Sequence, residues 1–314
     1  MTITGAGTSG RATMNDVTAV IVTYNSAEHI GAAIASCERF GIPVVVVDNA
    51  STDNTLAKVP PGVQVIANSC NRGFAAAVNQ GVAAHESLLT LLLNPDVQLL
   101  TPIWEICALA GKKRYTAAAG LLVDASGLPQ NGFTFRRLPT PLALAFEVLG
   151  IHRIWPGNPV NRSYRCLDAD LLQRQVVEQP AGAFLLFRRD DWEDLGGFDE
   201  QFFPLWFEDV DYCKRFREHG GVIMFEPSVR ALHEGGHSIR KLPDSARICF
   251  WYASLLKYAI RHLSPLSKRM VAVSVLFGLA GRMVMALLQL RELSVLDAQF
   301  QSMRLAGKCL ISRI

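Results

Sequence analysis

Val44-Val45-Val46-Val47 is a wholly apolar run that ends abruptly in the polar residues 48–55. Four β-branched residues in a row predict a strand buried on both faces, as in a parallel sheet covered by helices. In an open α/β sheet, ligands bind at the carboxyl ends of the strands. The run therefore predicts a class of fold and also the edge of the sheet where a site should lie.

The same succession of strand, polar turn and helix recurs along the N-terminal half. Further strands are predicted over Val17–Thr23, Val63–Ala67, Leu88–Leu93 and Ala117–Val123. Helical spacing follows over residues 27–40, with Ser26 as the predicted N-cap, and over residues 75–85. This alternation predicts a doubly wound, mostly parallel sheet.

Polar motifs follow the first four of these strands. They are Thr23-Tyr24-Asn25, Asp48-Asn49-Ala50-Ser51, Asn71-Arg72-Gly73 and Asn94-Pro95-Asp96. No GxGxxG or GxxxxGK[ST] occurs, which argues against a dinucleotide fingerprint and a P-loop. A divalent metal on Asp96 is the predicted means of holding phosphates, because hard cations bind carboxylate and phosphate oxygens. An ordinary turn after a strand is the alternative for residues 94–96.

Residues 203–211 read Phe-Pro-Leu-Trp-Phe-Glu-Asp-Val-Asp. Apolar neighbours raise the pKa of a carboxylate towards the range that suits a general base. A helix start, with acidic residues facing the positive end of the macrodipole, is the alternative. The acidic residues are Glu208, Asp209 and Asp211, and Asp211 is also placed to pair with Arg215 as an exposed i,i+4 partner.

Six motifs occur in a fixed order between Thr18 and Ser238. They are Val-Thr-Tyr-Asn (22–25), Val-Val-Asp-Asn-Ala-Ser-Thr-Asp (46–53), Asn-Arg-Gly-Phe-Ala-Ala-Ala-Val-Asn (71–79), Leu-Leu-Asn-Pro-Asp (92–96), Gly-Ala-Phe (182–184) and Gly-Gly-Phe-Asp-Glu-Gln-Phe-Phe (196–203). Together they resemble the inverting GT-A glycosyltransferases of family 2. The Asn-Pro-Asp form of the metal motif is typical of the bacterial rhamnosyltransferase-like branch.

The resemblance implies a nucleotide-sugar site at the strand ends. Thr23 and Tyr24 would line the base pocket, and Asp48 would accept the N3–H of a uracil or thymine ring. Asp48 has an alternative role as a turn or cap residue. The residues that would approach the nucleotide and its phosphates are Asn71, Arg72 and Gly73. Arg72 could equally be a solvated loop cation, whereas Gly73 would allow close passage of the backbone.

The resemblance also implies a metal site for Mg²⁺ or Mn²⁺. Asp96 takes the last position of the family's Asp-x-Asp motif, and Asn94 supplies a neutral, weaker oxygen on the donor side. His233 would join Asp96 on the metal or contact the diphosphate, with a purely structural histidine as the alternative. His237 is expected to be structural.

Catalysis is implied for Asp209, the general base of the family's Glu-Asp pair. It would deprotonate an acceptor hydroxyl that displaces the nucleotide diphosphate and inverts the anomeric centre. Glu208 would hold the acceptor or orient the base. Trp206 would stack on an acceptor sugar, or else belong to the core, and Gly182 would let a neighbouring group pack closely on the acceptor side.

The C-terminal segment differs in charge from the rest. The chain of 314 residues has a net charge of +3, but from Arg247 onwards ten Lys and Arg face only two acidic residues. Residues 271–290 contain one charge, Arg282. A membrane span, an interfacial helix or hairpin, and a buried dimerisation helix are the three interpretations, and we expect the interfacial one. A basic, apolar tail suits an anionic membrane surface better than nucleic acid.

These observations predict a disordered leader without a signal peptide (1–14), a nucleotide-sugar-binding half (15–115), an acceptor and catalytic half (116–245) and a helical tail (246–314). Seven Cys without a CxxC pair indicate a reducing, cytoplasmic compartment, with peripheral attachment to the inner face of the cell membrane. A homodimer through the C-terminal helices is a further expectation.

The resemblance implies transfer of a sugar to a lipid-linked saccharide acceptor in cell-wall or surface-polysaccharide synthesis. L-Rhamnose from a dTDP donor rests on family analogy, and a UDP-sugar transferase is the alternative. A non-catalytic nucleotide-sugar-binding membrane adaptor is the rival from another class. A processive synthase would show a Gln-x-x-Arg-Trp motif, and a nucleotidyltransferase would need a Gly-rich loop after the first strand; neither occurs.

Overall fold

The structure is a computed structural model that describes residues 16–235, 242–289 and 292–311. The predicted leader (1–14) and the residues His237 and Ser238 lie outside this part of the chain.

The centre of the protein is a mixed, mostly parallel sheet. Its strands are β1 (Val17–Thr23), β2 (Val44–Asp48), β3 (Gln64–Ala67), β4 (Leu89–Leu93), β5 (Val97–Leu99), β6 (Thr116–Val123), β8 (Gln175–Val177), β10 (Phe184–Arg188) and β11 (Val222–His233). Two short strands, β7 (Phe135–Arg136) and β9 (Gln179–Pro180), form a separate antiparallel pair. The order in the main sheet is β3-β2-β1-β4-β10-β6-β11-β5, with β8 also on β11.

The first four strands are parallel, and their register aligns their carboxyl ends. Thr23 lies opposite Asp48, and Asp48 lies opposite Ala67. Every residue of β1, β2 and β4 is buried, as expected for strands covered on both faces. β10 runs antiparallel to β4 and β6. The predicted doubly wound, mostly parallel sheet is confirmed.

Helices cover the sheet on both faces. They are α1 (Ile30–Glu38), α2 (Phe74–Ala83), α3 (Trp104–Lys112), α4 (Pro141–Leu149), α5 (Ile151–Ile154), α6 (Pro159–Tyr164), α7 (Arg189–Asp194) and α8 (Glu208–Glu218). The predicted N-cap of α1 is wrong: the helix begins after His29, and the carbonyl of Ser26, not its hydroxyl, accepts from His29. Residues 130–178, which look irregular in sequence, contain the helices α4 to α6.

Three C-terminal helices pack against α4 and α8. They are α9 (Asp244–His262), α10 (Pro265–Leu288) and α11 (Leu293–Ile311). Leu255 and Val275 from these helices share one apolar core with Leu144 of α4 and Val210 of α8. The helical tail is therefore built into the same folded unit as the sheet.

Arg282, the single charge in the apolar segment, points into the protein. Its Nη1 donates to the carbonyl of Val148 at the end of α4 (2.7 Å), and it also donates to the hydroxyl of Tyr252. A side chain at Gly278 would overlap the same carbonyl, so α10 and α4 touch through their backbones here. α10 is long and apolar enough to cross a membrane, with a mean hydropathy of 2.1, but 39% of its apolar window is buried in the protein.

Candidate functional site

A cavity of about 610 Å³ opens at the carboxyl ends of the parallel strands. Its floor contains Tyr24, Asn49, Asn71, Asn94 and Asp96 from the strand ends. Its opposite wall contains the segment 203–210, with further side chains from α4 and α9. The two regions singled out in the sequence, the strand-end motifs and the acidic helix start, thus face one space.

Asp209 occupies the second position of α8 and lines this cavity. Its Oδ2 accepts from the backbone N–H of Gly182 (3.1 Å) and from Nε2 of Gln179 (3.2 Å), and its Oδ1 accepts from the N–H of Val210 (2.8 Å). Burial raises the pKa of Asp209, while the backbone N–H of Gly182 acts in the opposite direction. The result is a fixed carboxylate with an elevated pKa, which is what a general base needs.

Gly182 and Gln179 are the residues that position Asp209. A methyl group at Gly182 would lie 3.0 Å from Cβ and 3.2 Å from Oδ2 of Asp209. The sequence predicted a close neighbour for Gly182 without identifying it. In the structure this neighbour is Asp209, the predicted base. Gln179 was missed in the sequence, because nothing near it indicates that its amide reaches a residue thirty positions away.

Glu208 is buried and lines the same cavity. Among the described residues, its Oε2 has no hydrogen-bond partner. Burial raises the pKa of Glu208 well above its ordinary value, and the neighbouring Asp209 carboxylate adds to the effect. An unpartnered, protonated carboxyl group can donate a hydrogen bond to a ligand oxygen, which Asp209 in its ionised form cannot do.

The loop before α8 has an uncommon backbone conformation. Trp206 and Phe207 both have positive φ, at 76° and 71°. Non-glycine residues in this region are strained and occur mostly where surrounding contacts fix them. Here the carbonyl of Pro204 accepts from the N–H of Phe74 (2.7 Å), and that of Leu205 accepts from the hydroxyl of Ser254 (3.1 Å). The half-buried Trp206 lines the cavity and also packs against the C-terminal core.

Gly73 permits this loop arrangement. It has φ of +85°, and a Cβ there would lie 2.8 Å from the ring of Phe203 and 3.3 Å from the carbonyl of Pro204. The backbone that passes close to Gly73 in the structure is therefore the loop before α8. The predicted approach of Gly73 to a nucleotide stays a prediction.

Asp96 lines the cavity, and His233 lies beside it. His233 Nε2 is 3.9 Å from Asp96 Oδ2. Gln130 fixes the orientation of the ring: its Nε2 donates to the backbone carbonyl of His233 (2.7 Å), so its Oε1 must accept from His233 Nδ1 (2.8 Å). Burial lowers the pKa of His233, with Asp96 acting in the opposite direction. The neutral Nε2 lone pair therefore faces a carboxylate oxygen.

This pair fits a divalent cation. An imidazole lone pair and a carboxylate oxygen that face each other without a shared proton can both bind one metal ion. Asn94, two residues before Asp96, lines the same part of the cavity. No group of three or more His, Cys, Asp or Glu side chains suited to a metal occurs in the part of the chain that the structure describes. The remaining ligands of a cation would come from water or substrate.

The residues predicted to bind the nucleotide divide into two layers. Tyr24 and Asn71 line the cavity. Thr23 and Asp48 are fully buried behind them: Asp48 Oδ1 accepts from the hydroxyls of Thr23 (2.8 Å) and Ser51 (2.5 Å). These bonds match the alternative role of Asp48 in a turn, and its contact with a base stays a prediction.

Asn49 connects the strand ends beneath the cavity. Its Nδ2 donates to the side chain of Asn71 (3.0 Å) and to the carbonyl of Gly73 (3.1 Å), and its Oδ1 accepts from the N–H of Arg72 (2.9 Å). The sequence did not single out this residue, although it directly follows Asp48. The side chain of Arg72 is exposed, so its predicted phosphate contact also stays a prediction.

Comparison with known proteins identifies a family and two related rhamnosyltransferases. The family model "Glycosyl transferase family 2" matches residues 18–143. The N-acetylglucosaminyl-diphospho-decaprenol L-rhamnosyltransferase of Mycobacterium tuberculosis H37Rv is 30% identical over 273 residues, covering 79% of this chain and 86% of the relative. Rhamnosyltransferase WbbL of Escherichia coli K12 is 27% identical over 163 residues, covering 50% of this chain and 56% of the relative.

Solved structures agree with the fold. The chain matches Staphylococcus aureus TarS 1-349 in complex with UDP-GlcNAc with a TM-score of 0.55 at 15% identity, covering 94% of this chain and 81% of that one. It matches the mannosyltransferase PcManGT of Pyrobaculum calidifontis, solved with GDP-Man and Mn²⁺, with a TM-score of 0.50 at 17% identity, covering 94% and 87%. The predicted GT-A fold is confirmed.

We expect Glu208→Gln to stabilise the protein in a pH-dependent way. Because the pKa of Glu208 is raised in the folded state, the wild type loses stability as the pH rises above the ordinary pKa of the side chain, about 4.3. Glutamine mimics the protonated acid and has no such loss. Urea unfolding should show little difference near pH 4.5 and a gain of about 1–3 kcal/mol at pH 8.

The control is Glu218→Gln at the exposed C-terminal end of the same helix, where Glu218 pairs with Lys214. This variant should change stability by less than about 1 kcal/mol at both pH values. A stability difference for Glu208→Gln that does not vary with pH would contradict a raised pKa.

Proposed function

Since the chain belongs to glycosyl transferase family 2, we propose that it transfers L-rhamnose from a dTDP donor to an N-acetylglucosaminyl-diphospho-lipid acceptor in cell-wall or surface-polysaccharide synthesis. The observation that supports this most directly is Asp209. Its pKa is raised, its position is fixed by Gly182 and Gln179, and it shares a cavity with Asp96, which has His233 beside it. The acceptor class comes from the name of the Mycobacterium tuberculosis relative.

The proposed reaction is a single displacement with inversion. Asp209 takes the proton from an acceptor hydroxyl as that oxygen attacks the anomeric carbon of the donor, and the nucleoside diphosphate leaves from the opposite face. Burial raises the pKa of the adjacent Glu208, which in its protonated form would donate a hydrogen bond that holds the acceptor. Trp206 offers an aromatic face to the acceptor sugar from the same wall of the cavity.

Asp96, His233 and Asn94 are the residues that would hold Mg²⁺ or Mn²⁺. A bound cation would supply charge neutralisation for the diphosphate that departs. Tyr24 and Asn71 lie next to these residues and would contact the nucleoside, with Asp48 and Thr23 supporting them from behind. Asp96 is the single carboxylate of the Asn-Pro-Asp motif, so its charge matters most for the metal.

We expect Asp209→Asn to lower the rate of sugar transfer by about 10²–10⁴-fold, because an amide cannot accept the hydroxyl proton. The affinity for the donor should be unchanged, since Asp209 lies on the acceptor side. The measurement is release of nucleoside diphosphate from a panel of dTDP-, UDP- and GDP-sugars with Mg²⁺ or Mn²⁺ and a lipid-linked acceptor, together with donor binding by calorimetry.

The matched control is Asp190→Asn, an exposed carboxylate on α7. It should leave transfer unchanged. If the wild type binds none of these nucleotide sugars, the proposed function is wrong. If it binds one but transfers nothing to any acceptor, the non-catalytic adaptor is supported instead. A preference for a UDP-sugar would replace rhamnose while leaving the reaction class intact.

We expect Asp96→Asn to lower the affinity for Mn²⁺, measured by electron paramagnetic resonance in the presence of dTDP, by more than tenfold, because only neutral protein ligands would remain. Gln130→Ala should lower it by about 10–100-fold, as for other residues that orient a metal-binding histidine. His219→Ala, at the exposed end of α8, is the control. Unchanged Mn²⁺ binding in Asp96→Asn would exclude this site.

Attachment to an anionic membrane surface is proposed for the exposed face of α10. Leu266, Phe277 and Leu288 on this face are more than 70% exposed, although they belong to a helix whose other face packs against α4. The neighbouring segment after α4 exposes Ile154 and Trp155. Exposed Arg269 and Arg153 accompany these apolar groups. An amphipathic helix with basic residues binds in the plane of an anionic bilayer and does not span it.

We expect the double substitution Phe277→Asp and Leu288→Asp to reduce co-sedimentation with phosphatidylglycerol-containing vesicles by more than tenfold, because it places two charges on the bilayer-facing surface. Leu172→Asp, an equally exposed apolar position in the catalytic half, should have no effect. Vesicle binding that persists in the double variant would contradict the proposal. A change from dimer to monomer in gel filtration, without an effect on vesicles, would assign this face to the homodimer instead.

A further inference from the structure

Arg136 is a cation beside the proposed base. It lies on β7, and β7 pairs with β9 so that Arg136 is directly opposite Gln179. Residues in register on neighbouring strands project their side chains to the same face. Gln179 donates to Asp209, and all three residues line the cavity. Arg136 therefore neighbours Gln179, and Gln179 in turn contacts the carboxylate of Asp209, the proposed base.

The guanidinium is held in place without being neutralised. Its Nε donates to the carbonyl of Gly132 (2.8 Å), and its Cζ lies 5.9 Å from the ring centre of Tyr164. No carboxylate in the described parts of the chain forms an ion pair with it, whereas nearby Arg165 pairs with Glu147 at 3.0 Å. A fixed guanidinium without a carboxylate partner is suited to bidentate binding of a phosphate group.

The same cavity has an apolar part to its lining. Leu144 of α4 and Phe250 and Trp251 of α9 contribute to it. One cavity therefore contains a carboxylate suited to act as a base, a cation beside it and hydrocarbon side chains. A prenyl-diphosphate-linked sugar carries a hydroxyl, a diphosphate one pyranose ring away and a hydrocarbon chain. Each of these three parts has a chemically suited group in the cavity.

We propose that Arg136 binds the diphosphate of a prenyl-diphosphate-linked acceptor, with Leu144, Phe250 and Trp251 receiving the first prenyl units. This inference rests on the proposed function, because that function supplies the class of acceptor. The diphosphate of the nucleotide sugar has the same chemistry. It is expected beside Asp96 and His233, and the experiment separates the two sources.

The test is equilibrium binding of farnesyl diphosphate, followed by tryptophan fluorescence, with no donor present and with EDTA to prevent capture at the metal site. We expect the wild type to bind farnesyl diphosphate more tightly than farnesol. Arg136→Gln should raise the dissociation constant for farnesyl diphosphate by about tenfold or more and leave that for farnesol unchanged. Arg136→Lys should have an intermediate effect, since it keeps the charge but not the bidentate geometry.

Arg137→Gln is the matched control, because this adjacent arginine is more exposed and does not line the cavity. Binding of dTDP in the presence of Mn²⁺ is the donor measurement. If Arg136→Gln weakens dTDP and leaves farnesyl diphosphate unchanged, Arg136 serves the donor and the inference is wrong. Equal losses for farnesyl diphosphate and farnesol would show a structural role only. These measurements detect binding and need no sugar transfer. Failure of this inference can therefore be distinguished from failure of the proposed function, which the transfer assay tests.

Discussion

The buried carboxylate of Asp211 connects the helix that carries the proposed base to the C-terminal helices. Asp211 has no exposure and accepts from Nε of Arg215 (2.8 Å) and from Nε2 of His262 (2.6 Å), while Nε of Arg261 lies 3.3 Å away. Burial alone would raise the pKa of Asp211, but His262 and Arg215 outweigh it, so the pKa lies below its ordinary value. Removing one partner from a buried ion pair typically costs about 3–5 kcal/mol. The position of α8 therefore depends on α9.

This dependence reaches the proposed catalytic residues through the loop that precedes α8. Trp206 and Phe207 have positive φ values. Each costs about 1–3 kcal/mol of conformational free energy and persists only because surrounding contacts impose it. Ser254 of α9 binds the carbonyl of Leu205, and α9 is itself fixed to α8 through Asp211. The C-terminal helices therefore hold both sides of the turn from which Glu208 and Asp209 emerge. A chain without α9 would lack the contacts that stabilise this conformation.

The sequence predicted the elements whose signals are local. Apolar runs predicted the buried strands, and the polar residues after them predicted the edge of the sheet where the cavity lies. Asp209 was identified through the family resemblance, and its pKa shift agrees with its apolar neighbours in sequence. The strands and the edge of the sheet could be predicted because strand periodicity and strand-end polarity are properties of a few consecutive residues. The role of Asp209 as the base stays a prediction.

What the sequence could not predict depends on pairings between distant residues. Asp211 looks like an exposed partner of Arg215 because the i,i+4 spacing is visible, whereas His262 is 51 positions away. Its predicted exposure is therefore wrong. Arg282 looks like a charge inside a membrane helix, because its acceptor on Val148 becomes a neighbour only when α10 packs on α4. In each case a polar group that seems misplaced in sequence is satisfied by tertiary packing.

The same packing connects the proposed membrane-binding face of α10 with the proposed acceptor site in the cavity. α4 contacts α10 with one face, and its residues Leu144 and Glu147 line the cavity with another. α9 likewise supplies Trp251 to the cavity while packing against α11. If the exposed face of α10 binds the bilayer as proposed, α4 carries part of the apolar lining of the cavity and also contacts the membrane-bound helix. A lipid-linked acceptor could then keep its hydrocarbon chain close to the membrane while its sugar reaches Asp209.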